Sequence, residues 1–376
     1  MLEMKLSLIV LIIFGALTLI ELMYYYLVFA RFSFRKKRKV ISSDEIPVSI
    51  VMVVQNLAAV LLKTLPRILS QSYSKFEVVV VDCNSQDDTK KLLYEYASQF
   101  PNLKVVDLDS AVTSIRGRKF AISMGIRCAQ YDHILITDAE CRPTSPHWLQ
   151  KMASHFGVGK NIVLGYSTYE KKKNPFNRLL HFENMFNAMQ YFGHAVIKST
   201  YRGDGKNLAY TKPLFFAQKG FASHNHICYG DEDIFISRAS KKNNTAIEYS
   251  PEAATVLQRG AYHKYWLHHK EGLYYTRKFN TMKNRILLNG YDLVNLLFYV
   301  ALVFAILFTI KDLTLLCIVL GIAGVRILSQ YFVFGFAAKK LDEKQVIPFL
   351  LIYDIIFAIL NPMYHFAARI HHQRFL

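Results

Sequence analysis

The chain has 376 residues, 46 Lys+Arg against 28 Asp+Glu, a formal charge of +18 and 52% apolar residues. That much apolar surface excludes a disordered chain. A basic and hydrophobic balance leaves two classes: a nucleic-acid binder with a large core, or a membrane protein with its positive charge on one side.

The placement of the apolar residues decides between them. Residues 6–30 are nearly unbroken apolar sequence, interrupted by Thr18 and Glu21. The run is long enough for the ~30 Å hydrocarbon core. A signal peptide would carry its charges before a shorter run. Here Arg31, Arg35, Lys36, Lys37, Arg38 and Lys39 follow it. This predicts an uncleaved anchor over residues 1–32, with the following segment on the cytosolic side.

Residues 46–260 alternate strand and helix patterns. Buried-type strands are expected at 48–54, 76–81, 103–108 and 133–137, with a helical stretch ending near 70 and helices from about 87 to 100 and over 117–130 between them. Continuous β-branched runs separated by such helices predict βαβ units in a parallel sheet. Ligands bind beyond the carboxyl ends of such strands. Asp82 and Asp138-Ala139-Glu140 stand at two of those ends. Two acids one residue apart can share a hard divalent ion such as Mg²⁺ or Mn²⁺; as plain loop acids they would cap helices or face water. Arg116, Gly117, Arg118 and Lys119 open the third helix, where a diphosphate could be held. Residues 201–210 form a glycine-containing basic loop, and Gly230-Asp231-Glu232-Asp233 precede an apolar helix. Those acids read either as a helix cap or as a general base. Five cysteines without a C-x-x-C pair indicate neither a disulfide framework nor a zinc site.

Residues 261–289 place Tyr262, Tyr265, Trp266, His269, Leu273 and Tyr274 among basic residues, which predicts interfacial amphipathic helices. Residues 290–376 hold spans at 291–310 and 313–335, turned at Lys311-Asp312, and a third candidate at 346–368 containing Pro348 and Pro362. Glu21, Arg326 and Asp354 then lie at similar depth, about 12–14 Å from the cytosolic ends. Charges at such depth either find partners or snorkel towards water, and the pairing open to Arg326 is with Glu21, Asp354 or both.

The order of these motifs resembles the family-2 inverting glycosyltransferases of the GT-A fold, in particular their membrane-anchored bacterial members. The resemblance rests on Asp82 in an Asp-x-x-Ser-x-Asp-Asp-Thr run, Lys119, Asp138-Ala139-Glu140 and Gly230-Asp231-Glu232-Asp233. It implies an α/β nucleotide-sugar-binding domain, Rossmann-like, flanked by transmembrane helices. It further implies that Asp82, Ser85, Lys119, Asp138, Gly205 and Asn207 contact the nucleotide-sugar. Asp138 and Glu140 would hold Mg²⁺ or Mn²⁺, and Asp233, beside Glu232, would be the catalytic base. The implied partners are a UDP- or GDP-sugar, a lipid-linked or membrane-near acceptor and membrane lipids, and not nucleic acid. The implied place is the bacterial inner membrane with the catalytic domain in the cytosol, and the role is cell-envelope glycan or glycolipid synthesis. Three departures stand out. Gln55-Asn56-Leu57-Ala58 lacks the acid the family often carries there, and the metal triplet ends in Glu140 rather than Asp. No Gln-x-x-Arg-Trp block accompanies Trp266, which favours transfer of a single sugar over polymerisation. These departures also keep open a catalytically weak relative serving as a nucleotide-binding scaffold.

Overall fold

The computed structural model describes residues 2–36, 46–108, 110–156, 159–227, 229–258 and 263–371. Within residues 110–116 only the backbone is described, so the Arg116 side chain falls outside the described set, as do Cys228, Lys37–Lys39, Tyr262 and the Tyr265 side chain. The chain divides into two units. One comprises Lys37–Asn177 with His194–Tyr262, and the other Met1–Lys36, Arg178–Gly193 and His263–Leu376.

The first unit is built on four parallel strands: β1 (Val48–Val54), β2 (Phe76–Asp82), β3 (Leu103–Asp107) and β4 (His133–Thr137). Their order in the sheet is β3-β2-β1-β4, with Val54 level with Asp82 and Asp82 with Asp107. The connecting helices are α3 (Ala58–Leu69), α4 (Thr89–Gln99) and α5 (Ser110–Cys128). Val48, Ile50, Met52, Val78, Val80 and Leu135 are buried with Leu61, Leu65 and Trp148 in one core. Sheets covered on both faces need such unbroken apolar strands, which is why these four follow the sequence expectation closely.

Beyond β4 the sheet turns mixed. β8 (Asn207–Thr211) runs antiparallel between β4 and β6 (Ile162–Leu164), and β9 (Thr245–Ile247) closes the edge parallel to β6. A second sheet orders β5 (Cys141–Pro143), β10 (Thr255–Leu257) and β7 (Ser167–Tyr169). Three-residue strands are too short to show a period of two, so sequence periodicity does not reveal them. Three short helices, α6 (Trp148–Ala153), α8 (Lys212–Ala217) and α9 (Asp233–Ala239), complete the unit.

The second unit is helical. α1 (Leu2–Tyr24) continues through a π-helical turn, Tyr25–Phe29, into α2 (Ala30–Ser33). α7 (Pro175–Val196) contributes its residues 178–193. α10 (His263–Thr276), α11 (Met282–Thr309), α12 (Leu313–Lys340) and α13 (Leu350–His371) follow. Among the described residues four segments are long and apolar enough to cross a membrane: Lys5–Ser33, Met282–Thr309, Leu313–Lys340 and Lys344–Ala368. The turn between α11 and α12 sits where expected, and Asp312 caps α12 by accepting from the Thr314 and Leu315 amides.

The deep charges meet. Arg326 Nε donates to Glu21 at 2.6 Å and Nη2 to Asp354 at 2.8 Å, with Asn295, Tyr299 and Gln330 completing the guanidinium's bonds. The segment expected to form interfacial helices divides between α10 and the start of α11. α11 already begins at Met282, where the Thr281 hydroxyl accepts from the Asn284 amide. In α10, Trp266 and Lys270 are buried, and both donate to Glu183 of α7, Lys270 at 2.7 Å. A buried ammonium needs such a partner, so this face of α10 packs inward, while His268 stays exposed.

Candidate active site

The carboxyl ends of β1 and β2 are joined by side chains. Asp82, buried at the end of β2, accepts from the Ser85 hydroxyl at 2.5 Å and the Ser85 amide at 3.2 Å. The Asn56 amide donates to Ser85 Oγ at 3.0 Å, and Asn56 Oδ1 accepts from the Gln86 amide at 2.7 Å. Asp87 accepts from the amides of Ala58 and Thr89. Residues 55–58 carry no acid of their own, and Asp87 of the neighbouring loop supplies one against that turn. These bonds hold Asp82 and Ser85 together at the rim.

β4 delivers the second acidic element. Asp138 Oδ1 accepts from the Glu140 amide at 3.0 Å, which turns the chain so that Glu140 is buried while the Asp138 side chain keeps 17% exposure. The Gln258 amide after β10 donates to the Glu140 carbonyl at 2.9 Å. The acids thus occupy one tight turn, one open and one enclosed. Among the described residues no three His, Cys, Asp or Glu side chains converge as a cage. Mg²⁺ is commonly held by one or two carboxylates and completed by substrate phosphates, and the open Asp138, with Glu140 behind it, suits that donor set.

Arg118, one of the basic residues expected to hold a diphosphate, connects this turn to the third element. Its Nε donates to Asp231 at 3.0 Å, and Nη1 lies 3.8 Å from Asp138. The helix is broken just before it: Gly117 has φ +60° and ψ −169°, a region open essentially to glycine alone. Burial holds the Arg118 pKa down, but Asp231 and then Asp138 and Glu232 overcome it and raise it above the ordinary guanidinium value.

The three consecutive acids have separate roles. Burial opposes ionisation of Asp231, yet a hydrogen bond from Glu232 and the Arg118 charge bring its pKa down to about 2. Burial, followed by the Asp231 charge and their shared hydrogen bond, pushes Glu232 well above the carboxylate range. Of this buried pair Glu232 is thus the harder to ionise, and it is the one that donates the hydrogen bond to Asp231. Gly205 makes room for this arrangement, since a Cβ there would stand 2.9 Å from Glu232 Oε1. Asp233, the first residue of α9, pairs instead with Arg202 at 3.2 Å. Asp204, in the same loop as Arg202, accepts from Ser167 and from Lys206 Nζ at 2.8 Å. Lys206, Ser167 and Arg202 outweigh its burial and bring its pKa to about 2.

Two residues expected around the donor are engaged within the protein. Lys119 is buried, and its ammonium donates to the carbonyls of His224, Ile227 and Tyr229 at 3.0, 2.5 and 2.7 Å. It thereby positions the segment leading into Gly230-Asp231-Glu232-Asp233. Asn207 is fully buried, accepting from Trp148 Nε1 and donating to the carbonyls of Tyr166 and Ala253. Its amide is spent on joining the two sheets. Asp82, Ser85, Asp138, Gly205, Glu232 and Asp233 remain at the loop ends, with Arg118 added to them.

Residues 49–223 match the family model of glycosyl transferase family 2, and they form a family-2 glycosyltransferase domain of GT-A fold. Glycosyltransferase AglE of Haloferax volcanii is 33% identical over 123 residues, which span 31% of this chain and 38% of that protein. The poly-beta-1,6-N-acetyl-D-glucosamine synthase of Staphylococcus epidermidis is 28% identical over 93 residues, spanning 25% of this chain and 21% of the synthase. The chain thus matches well under half of each relative's length. A mannosyltransferase of Pyrobaculum calidifontis, solved with GDP-Man and Mn²⁺, shares the fold. It superposes with a TM-score of 0.56 at 16% identity, over 94% of this chain and 99% of that one.

Proposed function

We propose that this protein transfers a single sugar from a UDP- or GDP-sugar to a hydroxyl of a lipid-linked or membrane-near acceptor, with inversion, during envelope glycan or glycolipid synthesis at the cell membrane. The observation that carries this reading is the convergence, through Arg118, of the Asp138-Ala139-Glu140 turn on the Gly230-Asp231-Glu232-Asp233 segment. One end of that arrangement suits a diphosphate and the other a reacting hydroxyl.

Inversion requires a base on the face opposite the leaving group. Of the three acids, Asp231 is committed to Arg118, and Glu232, buried beside it, is the harder to ionise. Asp233, its charge balanced by Arg202, is the acid assigned to take the acceptor proton. Arg118 lies where it can meet negative charge on the departing nucleoside diphosphate. A divalent ion held by Asp138, with Glu140, would supply further positive charge to that diphosphate. Asp82 and Ser85, fixed by the β1 and β2 loops, would orient the nucleoside.

The test is turnover of a panel of UDP- and GDP-sugars with Mn²⁺ or Mg²⁺, before and after chelation. Chelation should abolish turnover and added metal restore it. Asp233→Asn should lower turnover by about 10²–10⁴-fold, the usual contribution of a general base, while nucleotide affinity stays within about twofold. Glu232→Gln preserves a neutral donor towards Asp231 and should keep most of the activity. If Glu232→Gln were the inactive variant and Asp233→Asn the active one, the assignment of the base would be reversed.

A further inference from the structure

A cleft of about 160 Å³ lies among Tyr274, Arg277, Lys278, Arg285, Asn289 and His365. Its position in the helical unit is specific. Arg285 and Asn289 belong to the first turns of the Met282–Thr309 span, and His365 lies one turn from the end of the Lys344–Ala368 span. The cleft therefore sits at the N-terminal end of the Met282–Thr309 candidate span, with the last turns of α13 beside it, and a span's end is the level at which lipid headgroups meet water.

The lining is cationic beyond its internal needs. Arg277 is matched by Asp292 and stacks on Tyr274 at 4.0 Å. Lys278 lies over the Tyr275 ring at 3.7 Å. Neither Lys278 nor Arg285 has an ion-pair partner among the described residues. Asn289 and His365 add polar groups that can hydrogen-bond an anion. Beside this lining, Met282 and Ile286 on α11 and Met363 and Phe366 on α13 expose 65%, 63%, 58% and 62% of their surface. At ~30 Å³ per water the cleft has room for about five waters. That accommodates a phosphate ester and is too small for a nucleotide-sugar.

Unpaired cations inside the cleft and apolar side chains next to it match an amphiphile with an anionic head. We infer that this cleft binds the phosphate of a membrane lipid, its hydrocarbon lying along the exposed faces of α11 and α13. The inference is independent of the donor chemistry proposed above. The phosphate could belong to a bulk phospholipid diester or to a lipid phosphate monoester, and the test separates the two.

The full chain in uncharged detergent is titrated with phosphatidylglycerol, phosphatidylcholine, farnesyl phosphate and inorganic phosphate, following bound lipid by native mass spectrometry and the shift in Tm. Phosphatidylglycerol or farnesyl phosphate should bind and stabilise, and phosphatidylcholine much less. The preferred one identifies diester or monoester. Lys278→Gln with Arg285→Gln should weaken binding roughly tenfold or more, as expected for removing two near-surface cations. Lys283→Gln, outside the cleft, should leave binding unchanged. Asn289→Leu, which narrows the cleft without changing charge, should reproduce the loss and decides the matter if the double variant is unstable without lipid. Wild-type affinity in both the double variant and Asn289→Leu would overturn the inference. So would inorganic phosphate protecting as well as the lipids, or Lys283→Gln losing as much as the double variant.

Discussion

His224 shows what a single buried side chain adds to the site. Its backbone carbonyl is one of the three that hold Lys119. Burial, then the charges of Lys119 and Arg238, depress its ring to about 4 from an ordinary 6.5. The unfolded chain therefore takes up this proton at a higher pH than the folded one. The stability associated with neutral His224 is complete above about pH 6.5 and is lost as the pH falls towards 4. Tm measured from pH 7 to pH 4 should fall less steeply in His224→Gln than in the parent chain, and parallel curves would show that His224 does not contribute. Residue types and motif spacing make Asp82, Asp138 and the three consecutive acids legible in the sequence. They do not disclose what each side chain is already bonded to. Asn207, beside glycines, reads as a ligand contact. Its partners Trp148, Tyr166 and Ala253 are far away in sequence, and only the folded chain shows its amide spent on them.

At the level of elements, the break in α5 is a sharp local requirement. Gly117→Ala would place a Cβ in a backbone conformation that costs of order 1–3 kcal/mol. The chain should relieve this by moving Arg118 off Asp231. Expected outcomes are a lower Tm and weaker nucleotide affinity together; a fall in Tm alone would detach Gly117 from the site. In the helical unit the critical element contact is Arg326 with Glu21 and Asp354. Removing one partner from a buried ion pair costs about 3–5 kcal/mol. Arg326→Leu should therefore lower stability in detergent markedly, and adding Glu21→Gln and Asp354→Asn should restore much of it. No loss in Arg326→Leu would show that the three charges are not coupled. This contact was legible because three charges in apolar runs fell at one depth. The parallel strands were legible from continuous apolar sequence. The inward turn of α10 was not, because Lys270 reads as a solvated residue until Glu183 is brought beside it.

Over the whole molecule, the excess of 18 positive charges is unevenly spread, and the acids that build the site come from the minority. Charge and hydropathy located the apolar segments, and motif order located the glycosyltransferase domain. What neither revealed is that the helical unit takes in residues 178–193 from the middle of the chain. There Phe182 packs on Tyr353 and Phe357, Phe186 on Phe29, Tyr291 and Phe334, and Phe192 on Phe32. A chain cut to residues 46–262 would leave these rings bare. It should sediment as aggregate under conditions in which the full chain in detergent is monodisperse; a soluble, monodisperse fragment would contradict this.

The same connectivity sets a timetable for biosynthesis. Residues 178–193 leave the ribosome well after the first apolar helix and well before the last one. At about 5–20 residues per second, the roughly 170 residues separating Phe182 from Tyr353 delay their meeting by about 10–30 s. During that interval the nascent chain carries an uncovered aromatic face, and the packing of α11 to α13 is the event that closes it. Translation past residue 350, and not completion of the strand-rich segment, marks the point at which the protein can finish folding.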